Sequence, residues 1–121
     1  MYDEGRGVPQ NDTQAIIWYR KAADQGFAQA QFNLGLMYDE GQGVPKDDAQ
    51  AIIWYRKAAD QEHAAAQFNL GIMYSTGQGV PKNDGQAIIW FRKAADSGFT
   101  QAQFNLGLMY DDGQGVAQND E

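Results

Sequence analysis

Two apolar patterns alternate along the chain, both with helical spacing. Between Ala28 and Tyr38, the residues Ala30, Leu34 and Tyr38 fall four apart on one helical face, with Phe32 and Gly35 beside it. Further on, Ala51, Ile52, Tyr55, Ala58 and Ala59 share a second face, with Trp54 alongside. Between them lies Gly41-Gln42-Gly43-Val44-Pro45, which predicts a turn. Glycine ends a helix readily, and Pro45 has no N–H with which to continue one. Asp47 followed by Gln50 reads as a capping box that starts the second helix; Asn11 with Gln14 and Asn83 with Gln86 repeat it. The second helix ends on an Arg-Lys pair, where cations oppose the helix dipole.

This two-helix pattern recurs every 36 residues. Tyr2, Tyr38, Tyr74 and Tyr110 keep that interval, as do Gly5, Gly41, Gly77 and Gly113, and Trp18, Trp54 and Trp90. Residues 1–36 match 37–72 at 28 positions, and 37–72 match 73–108 at 25, without a gap. One unit cannot bury its own apolar stripe, so the units are expected to stack into a helical solenoid. A single repeat-array domain over 1–121 follows, with units at 1–26 (partial), 27–62, 63–98 and 99–121 (partial). The ends fall inside units, which suggests a fragment of a longer array or a start at an internal methionine. Gly35, Gly71 and Gly107 each cost about 1 kcal/mol of helix propensity. Their presence in every copy predicts an aromatic ring lying against them. Gly26 and Gly98 follow the second helix, but Glu62 and His63 stand at the middle junction where the other units carry glycine and phenylalanine, which predicts a poorer cap there.

Composition narrows the function. The chain has 121 residues, a net charge of −7 and no cysteine, which removes disulfides, thiolate metal sites and a cysteine nucleophile. Six of the nine basic residues sit in three Arg-Lys pairs, each followed by Ala-Ala-Asp, so no broad basic face forms and nucleic acid is a poor partner. No apolar run is long enough for a membrane span, and no leader peptide is visible. Cytoplasmic is the default expectation, with a periplasmic or secreted location open for a fragment.

The run Ala30-x-x-x-Leu34-Gly35-x-Met37-Tyr38-x-x-Gly41-x-Gly43-Val44-Pro45-x-Asp47-x-x-x-Ala51-x-x-Trp54-Tyr55-x-Lys57-Ala58-Ala59 resembles the Sel-one-like repeat, a relative of the tetratricopeptide repeats. The resemblance covers nearly the whole chain; Glu62, His63, Phe91 and Ala117 are its departures. It implies an all-α fold, a right-handed αα-solenoid superhelix of stacked antiparallel helix pairs. It also implies a non-catalytic adaptor that binds a protein or peptide along its concave face. Some cysteine-rich relatives are described as β-lactamase-like or penicillin-binding, so a hydrolase of that type is one alternative, and a purely structural fragment of a longer array is another.

Catalytic chemistry is thinly represented. There is one histidine, His63, and two serines, Ser75 and Ser97, and neither serine has a lysine three residues on. His63 reads as a replacement for a half-buried phenylalanine. Asp39, Glu40, Asp47 and Asp48 bracket a glycine turn but lack the alternating spacing of a calcium loop, so caps and solubility account for them. Neither a cofactor nor a metal is expected.

Two surface stripes remain. On the first helix, Gln29, Asn33, Leu36 and Glu40 lie opposite Ala30, Leu34 and Tyr38. Asn69 and Ile72, and then Gln101, Asn105 and Leu108, repeat the stripe. Asparagine amides donate and accept, which suits a peptide backbone, and the aliphatic residues add apolar area. The alternative is that these asparagines only hold the stack. On the second helix, Ile17, Ile53 and Ile89 form an apolar line within a polar face. They read as a lateral contact, as side chains shielded by Trp18, Trp54 and Trp90, or as residues buried by a turn of the second helix. Self-association through the uncapped array ends is a further expected mode of contact.

Overall fold

A computed structural model describes residues 11–112. It contains six helices, with no strand among the described residues: α1 (Asp12–Asp24), α2 (Ala28–Glu40), α3 (Asp48–Ala59), α4 (Ala64–Thr76), α5 (Asp84–Asp96) and α6 (Thr100–Asp112). Each packs on its neighbours in sequence, most extensively α2 on α3 and α4 on α5. The result is an all-α repeat solenoid.

The caps form as the sequence predicts. The side chains of Asn11, Asp47 and Asn83 accept from the backbone N–H of Gln14, Gln50 and Gln86 at 3.0, 3.1 and 3.0 Å. Gly41 and Gly77 close α2 and α4 in the left-handed conformation. The turn that follows also joins one unit to the last. Gly79 has φ +76°, and a Cβ there would lie 2.9 Å from Asp48 Cβ at the start of α3. Only glycine meets both demands.

The middle junction differs from expectation in one half. Glu62 does take glycine's place at φ 68°, a costly conformation for a residue with a side chain. His63, however, improves the next cap. Its Nδ1 accepts from the Ala66 N–H at 3.1 Å, whereas Phe27 gives α2 no side-chain cap. Nδ1 is therefore unprotonated, and Nε2–H donates to Gln29 Oε1 at 3.0 Å. The ring stacks on Phe32 at 4.7 Å, much as Phe99 meets Phe68 at 5.1 Å. Burial holds the imidazole below its ordinary pKa of 6.5. The unfolded chain thus takes up this proton first as pH falls, so stability is complete above about pH 7.5 and declines below 6.5. Thermal midpoints between pH 7.5 and 5 should fall more steeply for the parent than for His63→Phe.

The core follows the predicted faces with one addition. Ala51, Trp54, Tyr55, Ala58 and Ala59 are buried on α3, and Ala30, Leu34, Gly35 and Met37 on α2, while Ile52 and Tyr38 are half-buried. Gln31 and Gln67 are buried as well. Gln31, Gln67 and Gln103 each donate to a carbonyl at the end of the preceding helix (Ala23, Ala59 and Ala95) at 3.1 Å. Gln31 Oε1 accepts from Gln61 Nε2 at 2.8 Å, but Gln67 Oε1 is buried without a partner. Ser97 stands where Gln61 would, with its hydroxyl on Lys93 O. Ser97→Gln should supply the missing donor and stabilise the fold by about 1 kcal/mol, visible as a higher urea midpoint.

Candidate groove between helix pairs

The seam between units is fastened from both sides. The arginines near the C-terminal ends of α1 and α3 reach across it. Arg20 Nη2 donates to the Tyr38 hydroxyl at 2.8 Å and lies 5.5 Å from the Trp54 ring centre. Arg56 does the same with Tyr74, at 2.9 Å, and with Trp90, at 5.3 Å. The sequence pattern predicts only a dipole role for these arginines. Their seam role depends on neighbours 18 and 34 residues away, which a single helix face does not reveal.

Two separate clefts open between helices. The first, about 590 Å³, is lined by Asn33, Leu36, Met37 and Glu40 of α2, by Asp12, Trp18 and Tyr19 of α1 and by Asn11 and Gln42. A second, about 270 Å³, is lined by Asn105, Leu108, Met109 and Asp112 of α6 and by Asp84, Phe91 and Ser75. Six positions of the two clefts are equivalent, two units apart. The structure places Asn33, Leu36 and Glu40 of the stripe in the first cleft and Asn105 and Leu108 in the second. Gln29 and Gln101 do not line either cleft; Gln29 donates to Asn33 Oδ1 at 3.0 Å. Leu36 and Ile72 are half-buried and pack on the core, while Leu108 is exposed. The aromatic and methionine parts of the lining were missed, because the groove lies between two helices and a stripe on one shows half of it.

The middle unit closes this space differently. Tyr55 is fully buried; its hydroxyl donates to Asp39 Oδ2 at 2.9 Å, and Asn69 approaches the same hydroxyl. Asn69 thus sits against the Tyr55 hydroxyl inside the stack. Gln78 Nε2 donates to Asp39 Oδ1 at 2.8 Å and to Asp48 Oδ1 at 3.2 Å. Lys46, 2.8 Å from Asp48, holds that carboxyl below its ordinary pKa. In the third unit Ser75 and Phe91 occupy the positions of Asp39 and Tyr55, so donor and acceptor disappear together. The second cleft opens there.

In the second cleft Lys82 Nζ donates to Asp84 Oδ1 at 2.9 Å. Ser75 Oγ donates to Ile72 O and Ser97 Oγ to Lys93 O. Among the described residues no group of three His, Asp or Glu could hold a metal ion, and no helix is long and apolar enough to cross a membrane.

The Sel1 repeat profile matches residues 1–27, 28–63, 64–99 and 100–121, the entire chain. The chain belongs to the Sel1 repeat family. The solved structures agree with this Sel1 assignment. A Sel1 repeat protein from Oxalobacter formigenes is 48% identical with a TM-score of 0.92, over 98% of this chain and 49% of its own. A protective antigen of uropathogenic Escherichia coli that displays an SLR fold is 46% identical with a TM-score of 0.93, over 96% of this chain and 25% of its own. The Helicobacter pylori cysteine rich protein B is 30% identical with a TM-score of 0.76, over 80% and 73%. The chain thus spans about half of the first and a quarter of the second. No curated protein matches it.

Proposed function

We propose that this Sel1 array is a non-catalytic scaffold that binds a peptide or protein segment along the groove, on the concave side of the array. Sel1 repeats commonly serve as protein-interaction scaffolds. The supporting observation is the recurrence of one lining at two places: an asparagine, a leucine, a methionine and an acidic residue on α2 and again on α6. Such a lining offers amide groups to a peptide backbone and apolar area to its side chains. Asn33→Ala with Asn105→Ala should lower capture of the partner by the intact chain, with the circular dichroism unchanged; Asn69 is left alone because of its place beside Tyr55. Lost helicity would make the asparagines structural, and full capture would move binding off this groove.

Ile17, Ile53 and Ile89 are exposed, so the tryptophans do not shield them. They are proposed as a lateral contact. Changing all three to glutamate without altering sedimentation or thermal stability would leave the line without a role. A hydrolase of β-lactam type is the competing reading from the cysteine-rich relatives; turnover of a chromogenic β-lactam above buffer would favour it.

A further inference from the structure

We infer that the face built by α1, α3 and α5 docks an acidic segment of another protein, one whose carboxylates alternate with apolar side chains. The inference rests on the isoleucine line being a contact surface, and names what lies on it. One arrangement occurs here twice. Two cations approach the ring of Trp54, Arg20 of α1 at 5.5 Å and Lys57 of α3 at 5.7 Å. Two more approach Trp90, Arg56 at 5.3 Å and Lys93 at 5.9 Å. Both tryptophans are buried, while Arg20, Lys57 and Lys93 are exposed above them. Ile53 and Ile89 stand three and four positions before the Arg-Lys pairs and so share their helix face. Ile53 is 46% exposed although α3 has helices packed on either side of it, so this exposure belongs to the stacked array itself.

Charge decides the occupant. The chain has 16 acidic and nine basic residues, yet these four cations form no ion pair among the described residues. The pairs formed there use Lys46 and Lys82, in the turns. Asp24, Asp60 and Asp96 stand at the ends of the same helices without pairing to the four. Acceptors are short beneath the surface too. Trp54 Nε1, Trp90 Nε1 and Arg56 Nε are buried donors without a partner. An excess of cations and donors is met by a group that only accepts, and an ionised carboxylate is such a group. Arg20 and Arg56 are already held by the hydroxyls of Tyr38 and Tyr74, so little further order is lost when they meet one. The cations come as one pair per seam, with isoleucine between pairs. That spacing suits carboxylates set at intervals, with an apolar side chain between them, rather than a continuous polyphosphate.

The probe is a fluorescein-labelled peptide of about 15 residues repeating Glu-Leu-Ser, because extended chain at about 3.4 Å per residue crosses a helix spacing of about 10 Å every third residue. Its anisotropy with the full chain should give a Kd of about 0.1 mM or tighter at low salt, weakening as salt is added. Lys57→Gln with Lys93→Gln should weaken binding at least about fivefold with helicity unchanged. Ile53→Gln with Ile89→Gln should weaken it as well, whereas Asn33→Ala with Asn105→Ala should leave it intact, since those asparagines line the clefts. No binding at about 1 mM chain would overturn the inference. So would equal binding of a Gln-Leu-Ser peptide, or binding undiminished in the lysine variant. Inorganic polyphosphate that displaces the probe as well as unlabelled peptide does would overturn the carboxylate assignment in favour of polyanions at large. Self-association that is lost when Ile17, Ile53 and Ile89 become glutamate, with no binding of the peptide, would overturn the acidic segment while keeping the isoleucine line as a contact.

Discussion

Gly35→Ala should destabilise the array by about 2 kcal/mol, although alanine is the better helix former. The methyl would lie 2.4 and 2.5 Å from Cδ1 and Cε1 of Tyr55. Something must move, and the ring is poorly placed to do so: it is fully buried and its hydroxyl is tied to Asp39. Overpacking of this kind costs about 3 kcal/mol, offset by about 1 kcal/mol of helix propensity. Gly71→Ala should cost less, because the Phe91 ring atoms lie slightly farther off at 2.7 Å and no hydroxyl anchors that ring. Gly107→Ala should cost nothing. Urea midpoints for the three variants should fall in that order. Equal losses at all three would mean that the glycines serve helix geometry rather than ring contact.

Tyr55→Phe should cost about 2 kcal/mol, since it leaves a half-buried carboxylate oxygen of Asp39 without its donor. Burial pushes the phenol far above the ordinary tyrosine pKa, so the hydroxyl remains a donor throughout the working pH range. Asp39→Ser removes the acceptor instead and should also destabilise, because Gln78 loses a partner too. The double variant recreates the pair that the third unit already carries, Ser75 with Phe91. Its cost should fall short of the summed single costs by about 1 kcal/mol. Additive costs from urea melts would show that the two positions are not coupled.

Much of the fold was legible because every level of the sequence repeats it. The interval of the tyrosines, the caps at Asn11, Asp47 and Asn83, and the glycine turns all specify the same hairpin. The glycine-to-ring contact was also readable, since Gly35 and its copies oppose their own helix propensity. What escaped were contacts that cross between units. Gln31 looks like a surface residue until the preceding helix end is placed over it, and Arg20 looks like a dipole partner until Trp54 arrives. The candidate site was half legible for the same reason. Asn33, Leu36 and Glu40 could be grouped from one helix, but Tyr19 and Trp18 join them only through packing. His63 shows that a substitution which breaks a pattern can add a cap bond that the pattern lacks.

Near-identical neighbours in a tandem protein can trade partners while they fold. The exchange of Asp39 and Tyr55 for Ser75 and Phe91 works against that error. Were α2 to close on α5 in place of α3, the Asp39 carboxylate would meet a phenyl ring that cannot donate to it. Were α4 to accept α3, the phenol would be sealed in beside a serine hydroxyl already turned back to its own helix. The first mistaken pairing takes the donor from a half-buried carboxylate, and the second leaves the phenol a neutral hydroxyl acceptor in place of a carboxylate, so two small differences between copies label which hairpin belongs to which.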